Sequence, residues 1–276
     1  MDRGCSSFAD IGDDDSGTLR QDFCNHKQYF GFVDQISSPR SIGIRTHVLA
    51  HRGASRAERE NTLLAFRRAG DMGADGVELD ARLTRDGVVV VHHDPALADG
   101  RVICEVDYGE LPSYVPTLDE ALDACVGMWV NVEIKNDPNE ADFDATDHVA
   151  VVVGALLVSR DEDKRFLVSS FRRETIDKMR AVAPTLRTAW LTPGVRTDDV
   201  ADVLASLVAA GHVAIHPWVG LLTRELVEAC HAVGLQVNTW TCDDPERMVE
   251  LIEWKVDAIC TNVPDVALGV VKRQQP

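Results

Sequence analysis

The sequence predicts an α/β barrel of the TIM (β/α)₈ type, with one added antiparallel strand after the second barrel strand. Three observations predict it. Short apolar runs alternate with amphipathic helical stretches from residue 46 onward, the pattern of repeated β-α units. The candidate strands number nine, one more than such a barrel takes. The second and third are joined only by Thr84-Arg85-Asp86-Gly87, whereas parallel neighbours need a crossover of about a dozen residues or more. The third strand therefore turns back on the second, and eight remain parallel. A doubly wound open sheet would be the alternative, but no glycine-rich phosphate loop opens a first β-α unit.

The elements follow in order. HVLAH (47–51) is the first strand, and NTLLAFRRAGDMG (61–73) is a helix ending on glycine, as helix C-termini do. GVELDARL (76–83) and VVVVHH (88–93) form the hairpin, with Asp86-Gly87 as a strong turn signal. TLDEALDACVG (117–127) is helical and MWVNVEIK (128–135) is a strand. After them the strands FLVSSF, TAWLT, VAIHP, QVNTWT and DAICT are separated or flanked by the helices HVAVVVGALLVSR, ETIDKMRAVAP, VADVLASLVAAG, TRELVEACHAVG and PERMVELIEWK. Residues 46–276 thus make one barrel domain. Residues 1–45 are rich in Asp, Ser and Gly and lack periodic apolar positions. They read as a loosely attached extension with a short ordered piece around KQYFGFV.

Composition excludes some partners. The net charge of −17 argues against nucleic acid, whose binding needs basic patches that neutralise phosphates. A small anionic substrate remains compatible if one local site is positive. The seven cysteines form no CxxC pair and no zinc-ligand spacing, which suits a reduced chain in the cytoplasm. No apolar run follows a basic start, so a secretory leader is not expected. VAVVVGALLV is too short to span a bilayer.

The chemistry-bearing residues gather at strand C-terminal ends, where barrels of this type place their sites. His51 and Arg52 end the first strand. Glu78 and Asp80 lie two apart on the second, and Glu133 and Lys135 two apart on the fourth; residues so spaced share a face. Acids inside apolar strands are costly unless paired or bound to a cation. Three at one barrel mouth suggest a hard, oxygen-liganded Mg²⁺ or Ca²⁺; ion pairing to Arg52 and Lys135 without metal is the alternative. On a two-residue Asp86-Gly87 turn, Asp80 faces His93 and His92 points away; a slip by one would swap the histidines. Glu60 and Asn61 read as caps of the helix near Thr62, with support of the site residues as the alternative. For His216, a pocket-lining and a structural role both stay open. Two imidazoles, three carboxylates, an arginine and a lysine make a phosphodiester-cleaving set.

HRGAS, ENTLLAF, GADGVELDARLTRDGVVVVHHDPAL, PTLDEAL, NVEIK, SSF, VNTWT and VDAICTNVPD occur in that order from about His47 to Asp265. Together they resemble the glycerophosphodiester phosphodiesterase family. The resemblance implies a TIM barrel that cleaves a small-molecule glycerophosphodiester to an alcohol and glycerol 3-phosphate with Mg²⁺ or Ca²⁺. It implies that His51 and His93 take the acid/base positions, and that Glu78, Asp80 and Glu133 hold the metal. It further implies that Arg52 and Lys135 contact phosphate and that Trp240 lines the pocket. The chain departs from the family at Arg59, where a proline is usual, in the loop LADGRVICEV (97–106) and the short segment before PTLDEAL, which bear on the leaving group, and at Asn262, where an aspartate is common. A lysophospholipid-cleaving enzyme of the same fold and a non-catalytic phosphoester binder are the other readings. Because residues 1–45 carry none of the matching motifs, their deletion is expected to leave turnover within a few-fold of full length.

Overall fold

The structure, a computed structural model, describes residues 45–275. The expected extension, with KQYFGFV, lies outside the described residues apart from Arg45. The strands are β1 (His47–His51), β2 (Gly76–Leu83), β3 (Val89–Val91), β4 (Trp129–Ile134), β5 (Phe166–Ser170), β6 (Arg187–Thr192), β7 (Ala214–Pro217), β8 (Gln236–Thr239) and β9 (Ala258–Thr261). Their order in the sheet is β1-β9-β8-β7-β6-β5-β4-β2-β3, and a further parallel β1–β2 pairing closes the ring. Eight parallel strands therefore form a closed barrel, and β3 hangs outside it, antiparallel to β2. That is the architecture expected from the four-residue link.

The helices are α1 (Leu63–Met72), α2 (Leu118–Ala124), α3 (His148–Ser159), α4 (Arg173–Val182), α5 (Val200–Ala209), α6 (Arg224–Ala232), α7 (Pro245–Glu253) and α8 (Pro264–Gln274). The sequence reading has no counterpart for α8. Its signals were present: a proline in the first turn and apolar residues at Ala267, Val270 and Val271, all buried. None of the helices among the described residues is long and apolar enough to cross a membrane.

Alternation along the strands sorts the side chains. Val77, Leu79 and Ala81 of β2 and Val130, Val132 and Ile134 of β4 join Phe66, Leu118, Leu122, Val153 and Leu157 of the helices in one apolar cluster. The intervening positions, Glu78, Asp80, Arg82, Asn131 and Glu133, are buried polar residues. They point to the barrel interior, where only pairing or a ligand offsets their desolvation.

His216 on β7 is one of these interior groups. It is buried, and its Nε2 accepts from Asn238 Nδ2 at 2.9 Å. Burial pushes its pKa down to about 3. The folded chain keeps this ring neutral while the unfolded chain takes a proton below about pH 6.5. Stability from this group is therefore lost as pH falls from about 6.5 towards 3, by at most about 1.4 kcal/mol per unit. His216→Gln should flatten that loss, measured as urea-unfolding free energies at pH 7 and pH 5. Equal losses in the variant and the parent would remove His216 from the acid response.

Candidate active site

β1 ends at His51, and the chain then turns through Arg52 and Gly53, both at positive φ (56° and 81°). A Cβ at residue 53 would lie 2.6 Å from the Ala65 carbonyl carbon, so the turn requires glycine. Arg52 takes left-handed backbone despite its side chain, a conformation costing of order 1–3 kcal/mol. It is held there because its N–H donates to the Glu78 carbonyl oxygen at 2.9 Å and lies 3.1 Å from Glu78 Oε2. Asn61 N–H in turn donates to the Arg52 carbonyl at 3.0 Å.

Thr62, not Glu60 or Asn61, caps α1: its hydroxyl accepts from Ala65 N–H. This corrects the reading from sequence. Asn61 is buried instead, and its Nδ2 donates to Asp80 Oδ2 at 2.7 Å. Glu60 pairs with Arg52 Nη1 at 2.9 Å. Both residues support the site rather than the helix.

The three acids converge. The β2–β4 register sets Asp80 beside Glu133, and one carboxylate oxygen from each of Glu78, Asp80 and Glu133 lies within 4.8 Å of the others. Arg52 Nε approaches Asp80 Oδ2 at 3.4 Å. Lys135 Nζ lies 2.7 Å from Glu133 Oε1 and 3.3 Å from Asp80 Oδ1. Burial would raise the Asp80 pKa, but Lys135 and Arg52 outweigh it and hold the group well below the usual carboxylate range. Burial likewise works against the charged forms of Lys135 and Arg52, and the acids overcome it and raise both.

Glu78 is different. Burial, then the Asp80 and Glu133 charges, push its carboxyl well above the normal range, and its Oε1 is buried with no hydrogen-bond partner. Glu133 is also raised, by burial first, against the pull of Lys135. Two cations thus do not balance three acids. A buried carboxylate oxygen without a partner, with two further acids within reach, is a donor set that can hold a hard divalent cation.

His51 stands against this cluster, its Nε2 3.9 Å from Glu78 Oε2. Its Nδ1 is 2.7 Å from Asn262 Oδ1. The Asn262 amide cannot turn round, because its Nδ2 donates to Asp243 Oδ2 at 2.8 Å and its backbone N–H to Asp243 Oδ1 at 2.8 Å. Asn262 Oδ1 must therefore accept from a protonated His51 Nδ1, which leaves Nε2 with its lone pair. Burial, then the Arg52 charge, lower the His51 pKa and keep the ring neutral. The sequence marks Asn262 only as a departure from the family pattern; its support of His51, and Asp243 behind it, escaped the sequence reading. The available signal was polar residues just past two neighbouring strands, Asp243 beyond β8 and Asn262 beyond β9.

The hairpin departs from the expected register. Ala81 pairs with Val91 and Leu83 with Val89, so the loop has three residues, Arg85-Asp86-Gly87, closed by Thr84 N–H to Val88 O at 3.0 Å. Gly87 takes the left-handed position at φ 81°, the form in which a turn is followed by a left-handed residue. His92, not His93, consequently lies opposite Asp80, its N–H donating to the Asp80 carbonyl at 2.9 Å. β3 stops at Val91, however, and the chain bends away. Beyond that bend His93 lines the same cavity as Asn61, whose amide holds Asp80. Its Nδ1 is 2.7 Å from Asp94 Oδ1.

A cavity of about 240 Å³ opens beside His93. Its walls include Arg59, Asn61, His92, Leu97 and Tyr114, and the Arg59 guanidinium lies 3.3 Å over the Tyr114 ring. Two of the departures from the family pattern, Arg59 and the 97–106 loop, thus border one space. Trp240 is outside this lining. It follows β8, donates from Nε1 to the His216 carbonyl at 2.7 Å, and meets Phe171 edge-on at 5.4 Å.

Residues 51–266 match the model of the glycerophosphoryl diester phosphodiesterase family. The chain belongs to that family. A glycerophosphodiester phosphodiesterase of Caldanaerobacter subterraneus is 29% identical, over 83% of this chain and 99% of its own length. The probable glycerophosphodiester phosphodiesterase 2 of Mycobacterium tuberculosis is 30% identical, over 81% and 89%. Among solved structures, a putative family member from Silicibacter pomeroyi superposes with TM-score 0.74 at 26% identity, over 83% of this chain and 94% of that one. A phosphodiesterase from Oleispira antarctica, solved with its product sn-glycerol-3-phosphate, has the same fold, with TM-score 0.75 at 23% identity, over 83% and 97%.

Proposed function

We propose that this enzyme hydrolyses glycerophosphodiesters to an alcohol and glycerol 3-phosphate, with His51 and His93 as its acid/base pair. The observation that carries the reading is the convergence of a neutral His51 bearing a bare Nε2, the two cations Arg52 and Lys135, and three buried acids at one barrel mouth. Membership of the family and the activity named for the relatives support it.

Arg52 and Lys135 bind the diester phosphate, each already drawn to the mouth by Asp80. The substrate's glycerol hydroxyl gives its proton to His51 Nε2 and attacks phosphorus. The bond to the leaving alcohol breaks, and His93, on the cavity side, protonates that alcohol as it departs. Water then opens the cyclic phosphodiester with the two histidines reversing roles. Acid–base help of this kind is worth roughly 10²–10⁴-fold. A divalent cation on Glu78, Asp80 and Glu133 would supply charge neutralisation to the phosphoryl oxygens. The cavity beside His93 receives the leaving alcohol, and Arg59 and Tyr114 form its outer wall.

The test is a panel of water-soluble glycerophosphodiesters, assayed with and without chelator, with the cyclic product sought at short times. Release of glycerol 3-phosphate supports the reading. Absence of turnover on every member with added Mg²⁺ and Ca²⁺ overturns it.

One observation favours a second reading, in which the substrate carries an acyl chain. Phe171, Trp218 and Leu221 follow β5 and β7 at the same barrel end and are 38%, 42% and 58% exposed. Faster turnover of a lysophospholipid in detergent than of its deacylated counterpart would select it.

A further inference from the structure

We propose that Arg82 is a positioning residue that holds His93 at the barrel mouth by clamping the His93 backbone to the loop after β4. The proposal rests on the acid/base reading of His93 given above. Arg82 lies two residues beyond Asp80 on β2 and shares its inner face. Its side chain is fully buried. A guanidinium so placed is tolerated only when its donors are used.

Four hydrogen bonds use them. Nε and Nη2 both donate to the His93 carbonyl oxygen, Nε at 2.9 Å. Nη1 donates to Asp142 Oδ2 at 2.5 Å, and Nη2 also donates to Glu140 Oε2 at 2.9 Å. One planar group therefore ties together β2, the bend after β3 and the loop between β4 and α3. That loop is fixed at its far end as well. Asn136 Nδ2 donates to Asp147 Oδ1 at 2.7 Å, and Arg172 and Thr175, just before and within α4, bond to the same carboxylate.

His93 has need of such an anchor. β3 ends at Val91 and the last bond to β2 is that of His92 N–H to the Asp80 carbonyl, so no ladder bond places His93 itself. Its ring bonds to Asp94, the next residue in the chain and an exposed one, which ties it to no other element. The forked contact at its own carbonyl fixes the direction in which the peptide, and hence the imidazole, leaves the bend. Lysine offers a point charge without the planar fork.

The experiment measures kcat, KM and melting temperature on a soluble glycerophosphodiester for Arg82→Gln, Arg82→Lys, His93→Ala and the double variant His93→Ala/Arg82→Gln. We expect Arg82→Gln to lower kcat about tenfold or more with KM within about twofold, and Arg82→Lys to lower it less. In the His93→Ala background Arg82→Gln should have no further effect on kcat, because residues acting as one unit are non-additive. An equal loss in both backgrounds would show a general structural role and overturn the proposal. Unchanged kcat in Arg82→Gln, with His93→Ala impaired, overturns the clamp alone. Full turnover in His93→Ala overturns both the clamp and the reading of His93. If Arg82→Gln does not fold, Arg82→Lys, which keeps the buried charge, carries the same comparison in both backgrounds.

Discussion

His51→Ala and His93→Ala should each lower turnover by roughly 10²-fold or more, the scale for losing a general acid or base. Both variants should fold and bind a phosphodiester, because Arg52, Lys135 and the acids stay in place. The double variant should be far less than additively worse, since the two histidines act in one relay. His92→Ala is the control. His92 pairs its backbone with Asp80, its ring Nδ1 contacts the Asp94 carbonyl at 2.9 Å, and it borders the cavity. Its loss should change KM more than kcat. Turnover and melting temperature of the three single variants decide the matter. A dead His92→Ala with an active His93→Ala would transfer the acid role to His92. Activity in all three would make the turn after β1 a phosphate-binding corner only.

Excess chelator should abolish turnover, and a divalent cation should restore it. The cause is the surplus acid: three carboxylates within 4.8 Å against two cations, with Glu78 Oε1 unpartnered. Stability reports the same imbalance without any assay. In chelator, Glu78 holds its proton more tightly folded than unfolded, since burial and its two neighbours raise its pKa. Stability from this group is present below the ordinary glutamate pKa of about 4.3 and is lost as pH rises through the raised folded value. Glu78→Gln should therefore melt higher than the parent in chelator at neutral pH. It should also lose the rise in melting temperature that added cation gives the parent, a rise worth about 2.7 kcal/mol at a hundredfold excess over Kd. Glu133→Gln should weaken cation binding while leaving the fold intact. Full activity in excess chelator, or an unchanged cation response in Glu78→Gln, would remove the triad from the chemistry.

Arg59 and the 97–106 loop show how far a linear pattern reaches. Each stands out in the sequence as a departure, but nothing in the chain order says that they border the same cavity. That follows only when the bend after β3 brings residues 92–98 against residues 59–61. His51 is similar. Its position at a strand end marks it for chemistry, whereas its tautomer depends on Asn262 and Asp243, about two hundred residues away in the chain.

Periodicity by itself determined the barrel, because burial of strands and amphipathic helices imposes repeats of two and 3.6 residues that survive in any order of letters. The four-residue link determined the odd strand, since chain reach forbids a crossover there. Spacing of two on a strand brought Glu78 to Asp80 and Glu133 to Lys135. Tertiary structure alone decided the rest. The Asp-Gly signal allows a two- or a three-residue loop, and the hydrogen bonds of Thr84 and the left-handed Gly87 select the longer. Asn61 could cap a helix or reach inward, and Asp80, a buried charge in need of a donor, draws it inward. Arg82 in a strand reads as one more surface cation. It becomes an anchor only because two other segments, the bend after β3 and the loop after β4, present it with a carbonyl and two carboxylates, and satisfying a buried charge is a property of the assembled fold rather than of any local run of residues.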